Sequence, residues 1–358
     1  MKIVMATGGS GGHIFPALST ALKLRSQGHR VVFIGTPGQG DEKLKASGFE
    51  SVPLCAKGLS FKSFRSFLFA VSCMIKSFFE SCRFLKHFKP DAVAGFGGYG
   101  AFSAVVAARF LGYPAVIHEQ NVVPGKANRI LSKIVNKIAV SFQKSEKYFN
   151  AKKVVVTGCP CHIVVPSLER KECMAKFNLL PGRLTMLVLG GSQGSHAVNG
   201  KFLEAAVLLK QELDFQVIHV AGKKDCPDTR ESYKNFGINA SVFDFLSEIG
   251  LAYKAADVVI SRAGAATLSE LVLFRLPAIL IPYPFAGGHQ KENADVLGEA
   301  GLARILEEKD LTAQRLKDAV LSLLTDKNIR EKAAAYAKNF FISDADDRLA
   351  KEIVSLAC

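Results

Sequence analysis

No apolar run in this chain is fit to cross a membrane. The uncharged stretch over residues 92–108 carries Gly95, Gly97, Gly98 and Gly100 and falls short of the ~20 apolar residues that a spanning helix needs. The N-terminus does not read as a signal peptide either, because the apolar stretch after Lys2 soon meets Gly8-Gly9-Ser10-Gly11-Gly12. Cysteine is sparse: there are 8, scattered, and Cys159-x-Cys161 is the only close pair. No second pair stands at zinc-site spacing, so a reduced, cytosolic protein is expected. Acidic residues are scarce in one half. Residues 1–160 hold 22 Lys and Arg against 7 Asp and Glu, whereas the rest holds 24 against 25. The whole net charge of +14 therefore belongs to the first half. An asymmetry of this kind points to an acidic partner, either nucleic acid or a membrane surface.

What is present is a globular composition, 49% hydrophobic and 22% charged, which excludes intrinsic disorder. A length of 358 residues suggests two domains. The chain opens as strand, glycine loop, helix, strand. Lys2-Ile3-Val4-Met5-Ala6 runs into the glycines, then Ile14, Ala17, Leu18, Ala21, Leu22 and Leu24 recur at helical spacing, and Gly28 ends the helix. Val31-Val32-Phe33-Ile34 follows as a strand that is apolar on both faces, as buried parallel strands are. The pattern returns at Leu184-Thr185-Met186-Leu187-Val188-Leu189 before Gly190-Gly191-Ser192-Gln193-Gly194, and again at Asp257-Val258-Val259-Ile260 before Ser261-Arg262-Ala263-Gly264. Two doubly wound α/β domains are predicted, with a boundary near residues 160–166 and helices over 312–358.

Ligands of open parallel sheets bind where the strands end, and a helix N-terminus there offers unpaired N–H groups and partial positive charge. Three glycine loops on one cleft suit a diphosphate. The first loop is not a dinucleotide fingerprint, because Ile14 stands three beyond Gly11. No G-x-x-x-x-G-K-[ST] occurs. His13, at the mouth of the first helix, is either a neutral proton acceptor or a helix cap and phosphate contact. Glu119, after the strand Ala115-Val116-Ile117-His118, is either a second base candidate or an orienting residue. Asn121 suits sugar hydroxyls, Glu270 a ribose diol, and Gln290 the ring hydroxyls of a sugar. Asp344-Ala345-Asp346-Asp347 has the spacing of a metal-binding acid pair but reads better as a helix cap. Residues 57–89 interleave Lys57, Lys62, Arg65, Lys76, Arg83, Lys86 and Lys89 with Phe61, Phe64, Phe67, Phe69, Phe78, Phe79, Phe84 and Phe88. Such a segment fits an anionic bilayer, a buried Phe face, or single-stranded nucleic acid.

Taken in order, Gly9-Ser10-Gly11-Gly12-His13, Gly97-Gly98-Tyr99, His118-Glu119-Gln120-Asn121, Gly190-Gly191-Ser192-Gln193-Gly194 and the run from Ser261 to Glu270 resemble glycosyltransferase family 28 over nearly the whole chain. The resemblance implies a GT-B fold: two Rossmann-like domains facing a cleft, with a C-terminal helix crossing back to the first. It implies residues 1–162 as the lipid-acceptor and membrane-associating domain, 163–335 as the UDP-GlcNAc-binding domain, and 336–358 as that helix. The implied reaction is inverting transfer of GlcNAc from UDP-GlcNAc to the 4-hydroxyl of undecaprenyl-diphospho-MurNAc-pentapeptide (lipid I). The product is lipid II, for peptidoglycan and hence cell shape and division. No metal at the diphosphate, no cofactor and no nucleic acid are implied, and the place would be the cytoplasmic face of the inner membrane. Carried over by motif, His13 and Glu119 are the catalytic candidates. Ser10, Gly11, Gly12 and Asn121 would contact the donor from the first domain. Ser192, Ala265, Ala266, Thr267, Leu268, Ser269 and Glu270 would hold uridine and diphosphate, Leu246 uracil, and Gln290 GlcNAc. At His162 the family usually has arginine, so a fixed positive charge is not guaranteed there. A UDP-sugar epimerase on the same fold, and a nucleic-acid-binding protein using the basic half, are the alternatives.

Overall fold

The structure is a computed structural model. It describes residues 1–358 except 10, 36–40, 56–63, 162, 164, 192, 193, 286, 287, 327, 341 and 358, with backbone alone for 41–43, 64–67, 330 and 338–340. Ser10, His162, Ser192, Lys57, Phe61 and Lys62 thus lie outside the described residues, as do the side chains of Phe64, Arg65 and Phe67. The chain forms two compact units, Met1–His162 with Ile342–Cys358, and Ile163–Phe341.

The first unit carries β1 (Lys2–Thr7), β2 (Arg30–Gly35), β3 (Glu50–Pro53), β4 (Ala92–Gly95), β5 (Ala115–Glu119), β6 (Lys137–Val140) and β7 (Val154–Val156). They form one parallel sheet in the order β3-β2-β1-β4-β5-β6-β7. Its helices are α1 (Gly11–Ser26), α2 (Asp41–Ala46), α3 (Phe64–Phe88), α4 (Gly98–Phe110) and α5 (Lys126–Leu131). Side chains alternate across the pleat, so each strand feeds two cores. Ile3 and Met5 pack with Ile14, Leu18 and Leu24 of α1, while Val4 and Ala6 pack with Leu85 of α3 and Ala104 and Val105 of α4. That double burial is why these strands read as continuous apolar runs.

The second unit carries β8 (Leu184–Leu189), β9 (Phe215–Val220), β10 (Ala240–Phe243), β11 (Val258–Ser261), β12 (Ala278–Leu280) and β13 (Ala303–Ile305), parallel in the order β10-β9-β8-β11-β12-β13. Around them lie α6 (Arg170–Lys176), α7 (His196–Leu209), α8 (Cys226–Phe236), α9 (Ile249–Ala255), α10 (Ala265–Phe274), α11 (His289–Glu299), α12 (Ala313–Thr325) and α13 (Ile329–Phe340). The strand order reverses between β1 and β4 in one sheet and between β8 and β11 in the other. Those are the points at which open α/β sheets bind ligands.

The last helix, α14 (Ala345–Val354), belongs to the first unit. Leu349, Ala350 and Ile353 are fully buried in the core that α1 also covers. Asp344 stands at its N-cap position without a side-chain cap bond, which differs from the capping expected of the acidic run. Its Oδ1 instead accepts from Arg348 at 2.9 Å, and Asp347 pairs with Lys23 and Lys351 at 3.2 and 2.5 Å. Acids in the first turn still complement the helix dipole.

The basic, aromatic segment forms α3, and it has two faces. Ala70, Cys73, Ser77, Ser81, Leu85 and Phe88 are buried, at spacings of three and four. Leu68, Phe69, Ile75 and Phe79 are exposed, beside Lys76, Arg83 and Lys86. Phe110 of α4, three-quarters exposed, adds to that surface through its edge contact with Phe78. Among the described residues no helix is long and apolar enough to cross a membrane.

Candidate active site

In the first unit the loops after β1 and β4 meet. A side chain at Gly97 would stand 3.1 Å from the His13 ring. Gly98, at φ +79, leaves no room for one at all, since a Cβ would lie 2.7 Å from the Gly8 Cα. The segment Gly95-Phe96-Gly97-Gly98-Tyr99-Gly100 does have the G-x-G-x-x-G spacing, and it joins β4 to α4. The space left by its glycines is filled by Gly8 and His13, so these residues let two loops touch. Burial pushes the His13 imidazole down to about 4, which keeps it neutral at physiological pH. Gly11 and Gly12 open α1 beside it.

Glu119 ends β5, is 1% exposed, and has both carboxylate oxygens occupied. Oε1 accepts from the Asn121 backbone at 2.9 Å and from its Nδ2 at 3.2 Å. Oε2 accepts from Gly125 N at 3.0 Å and Asn128 Nδ2 at 2.8 Å. The carboxylate therefore orders the loop that carries Asn121. Asn128, buried on α5, had no role in the sequence reading. Its signal is weak: one amide on a short helix, seven residues beyond Asn121. His118, behind Glu119, has a fixed tautomer. Gln120 Nε2 donates to its Nδ1 at 3.1 Å, so Nε2 carries the proton and donates to Gly158 O at 3.0 Å.

In the second unit the glycine loop after β8 turns back at Gly194, at φ +77, where a Cβ would stand 2.3 Å from Ala221 O. Ser195 then caps α7. Arg262, just beyond β11, is the residue that sequence reasoning passed over here. It is 8% exposed. Its Nη2 donates to Ser195 Oγ at 2.7 Å, and its Nη1 to Ile281 O and Pro282 O at 3.2 and 3.4 Å. It also pairs with Glu308 and lies 5.4 Å from the centre of the Tyr283 ring. One planar cation thus joins the ends of β8, β11 and β12. Replacing it by alanine would strand the Glu308 charge and several acceptors. The expected cost is about 3 kcal/mol in urea unfolding, with little recovery in Arg262→Lys, because a lysine cannot fork to all of them.

Helix α10 starts at Ala265 after Gly264, and no side chain caps it. The N–H groups of Ala265, Ala266 and Thr267 open that helix, with Leu268 buried behind them and Ser269 bonded back to Ala265 O. Glu270 accepts from the Tyr253 hydroxyl at 2.6 Å. Burial raises its carboxyl to about 7, and the Tyr253 bond works against that rise. Gln290 Oε1 accepts from Ala263 N at 3.1 Å and Tyr283 N at 2.9 Å. Both partners are N–H groups, so the orientation of the amide is settled and Nε2 is its donor end. Leu246, half-buried, lies in the loop after β10, at the edge of the same sheet.

His219 of β9 is buried like His118, with Nδ1 bonded to the Tyr233 hydroxyl at 2.9 Å and Nε2 to Asn199 Oδ1 at 3.0 Å. Desolvation lowers His118 to about 4 and His219 to about 3. Both stay neutral in the folded chain while the unfolded chain takes up protons from about pH 6.5 downward. Stability is therefore expected to fall as pH drops from 6.5 toward 4, by about 1.4 kcal/mol per pH unit for each of them at most. Urea midpoints at pH 7 and pH 5 measure it. Among the described residues no group of three or more His, Cys, Asp or Glu is placed to hold a metal.

Comparison with known proteins gives a consistent answer. The profile of the glycosyltransferase family 28 N-terminal domain matches residues 3–140, and that of its C-terminal domain matches 185–349. A relative from Syntrophus aciditrophicus (strain SB) is 36% identical over 357 residues, covering 97% of each chain. A second, from Bacillus licheniformis, is 37% identical over 363 residues, covering 98% of this chain and 97% of its own. Both are called UDP-N-acetylglucosamine--N-acetylmuramyl-(pentapeptide) pyrophosphoryl-undecaprenol N-acetylglucosamine transferase. Among solved structures, MurG of Acinetobacter baumannii superposes with a TM-score of 0.77 at 30% identity, over 99% of each chain.

Proposed function

The chain belongs to glycosyltransferase family 28, and from that membership we propose that it transfers GlcNAc from UDP-GlcNAc to the muramoyl 4-hydroxyl of lipid I, making lipid II. The observation that carries this reading is end-to-end similarity to enzymes named for that reaction.

The residues divide the work by chemistry. The N–H groups opening α10, together with the loop that holds Ser192, receive the diphosphate and stabilise UDP as it leaves. Glu270 accepts from the ribose diol, Leu246 presents backbone to uracil, and Gln290 Nε2 donates to a GlcNAc hydroxyl. Ser10, Gly11, Gly12, Asn121 and His162 meet the donor from the first domain. His13, neutral and at a helix mouth, takes the proton from the 4-hydroxyl as that oxygen attacks the anomeric carbon and inverts it. Glu119 serves by ordering the Asn121 loop, since four N–H donors already fill its oxygens.

The acceptor is a lipid, and the exposed face of α3 supplies apolar and basic groups together. In this reading the enzyme sits peripherally on the cytoplasmic face of the inner membrane, with Phe69, Phe79 and Phe110 in the headgroup region. Replacing those three by serine is expected to weaken binding to anionic vesicles about tenfold or more, with an unchanged unfolding midpoint. Equal sedimentation of variant and wild type with vesicles would remove this part of the proposal. The reaction itself is tested with labelled UDP-GlcNAc and a lipid I analogue, with and without chelator. Label should appear in a disaccharide lipid. Without acceptor the donor should persist. An epimer of the sugar would instead support the alternative enzyme, and salt-dependent binding to single-stranded nucleic acid, unaffected by UDP-GlcNAc, would support the other alternative.

A further inference from the structure

Cys55 and Cys73 have no part in that chemistry, yet they face each other. Cys55 follows β3 and is exposed; Cys73 lies on the buried face of α3. Their Sγ atoms are 3.3 Å apart, in hydrogen-bond contact and not joined by a disulfide. The approach is held by a second contact. Ser77, one turn beyond Cys73, donates from Oγ to the Cys55 carbonyl at 2.5 Å. Strand end and helix are thus fastened at the point where the sulfurs meet, and bond formation asks for only a small closing movement.

We propose that Cys55 and Cys73 form a reversible thiol–disulfide site, oxidised by low-molecular-weight disulfides. Cys55 reaches solvent, so its thiolate attacks the oxidant disulfide, bonds to one of its sulfurs and expels the other as a thiolate. Cys73 then gives up its proton and attacks Cys55 Sγ. The protein disulfide forms and the second half of the oxidant leaves as a thiol. Two protein thiols lose two electrons in all, and one small disulfide becomes two small thiols. The new bond closes a ring over residues 55–73 that includes Lys57, Lys62, Arg65, Leu68 and Phe69. It fixes the front of α3, where the exposed apolar face begins, to the end of β3. In a reducing compartment such a bond is transient, which makes it a sensing device and not a structural staple.

The test uses the full-length reduced protein with oxidised glutathione, alkylation of remaining thiols, and tryptic mass spectrometry. Lys57, Lys62 and Arg65 separate the two cysteines, so the disulfide appears as two joined peptides. In the wild type, joined peptide is expected to exceed glutathione-bearing Cys55 by about tenfold or more, because the second step is intramolecular. In Cys73→Ser glutathione should remain on Cys55. In Cys55→Ser, Cys73 should stay reduced, shielded by its burial. A dithiol reductant should reverse the joining. Glutathione persisting on wild-type Cys55, an unreacted Cys55, or a bond from Cys55 to Cys82 in place of Cys73 would each overturn the proposal. The wild-type arm decides this even if a variant folds poorly.

Discussion

Replacing His13 with alanine is expected to lower kcat by about 10²–10⁴-fold, the usual worth of a positioned general base, while the donor KM changes little. The expectation rests on where the ring sits. Gly8, Gly97 and Gly98 leave it a slot, and burial keeps it neutral down to about pH 4. In the proposed complex the donor meets Gly11 and Gly12 beside His13, and its negative charge favours the imidazolium and raises the pKa there. The acid limb of kcat, at saturating donor, should therefore lie above 4, and it should vanish in His13→Ala. Added imidazole should restore part of the rate to that variant alone. Glu119 is expected to behave differently. Any orientation of glutamine at 119 turns an NH2 toward two N–H donors, so Glu119→Gln should disturb the Asn121 loop, raise the donor KM and lower stability. If His13→Ala kept near-normal kcat while Glu119→Ala abolished it and left donor binding intact, the base assignment would fall.

Much of the fold was open to a reader of the sequence because parallel strands announce themselves. β1, β2, β8 and β11 are apolar on both faces, and each is followed by glycine or by a helix pattern, so strand, loop and helix could be placed without coordinates. Short, half-buried elements such as β3 and β13 carried no such signal, and from residue periodicity alone α13 and α14 read merely as a helical tail. That α14 enters the core of the first unit depends on Leu349, Ala350 and Ile353 meeting α1, a contact across the full length of the chain. The site was legible to a similar degree. Polar residues at strand ends stood out against apolar runs, which is how Glu119 and Gln290 became candidates, whereas Glu270 stood out on the helix that follows the third glycine loop. Their partners did not, because Asn128, Tyr253 and Arg262 matter only through distant groups: the Glu119 carboxylate, the Glu270 carboxylate and the Ser195 hydroxyl. Hydrogen-bond occupancy, which no spacing rule contains, is what supports the orienting reading proposed for Glu119.

Glu270→Ala is expected to weaken UDP-GlcNAc binding by about 10²–10⁴-fold, since a carboxylate accepting from two hydroxyls contributes about 3–6 kcal/mol through two charged hydrogen bonds. Glu270→Gln should cost less, because one acceptor oxygen remains. The wild type should also show a pH dependence that neither variant has. Its carboxyl is raised to about 7 by burial, so near neutrality a good part of the free enzyme carries a proton there. A ribose diol brings two donors and needs the ionised form. Binding must then expel the proton, and affinity should rise up to tenfold per pH unit below 7 and level off above it. UDP-GlcNAc is the right probe, because its doubly esterified diphosphate stays ionised throughout this range. The free enzyme should show the opposite sign in stability. A folded carboxyl raised from 4.5 to about 7 holds more protons than the unfolded chain, so this group's contribution is present below 4.5 and is lost as pH rises through 7. Titration calorimetry from pH 5.5 to 8 in buffers of different ionisation enthalpy measures both the affinity and the released proton. A wild-type affinity that is flat across that range, with no proton released, would rule out Glu270 as the ribose acceptor. Phe243-Asp244-Phe245-Leu246, where β10 ends, would then be the segment left to account for recognition of the nucleoside.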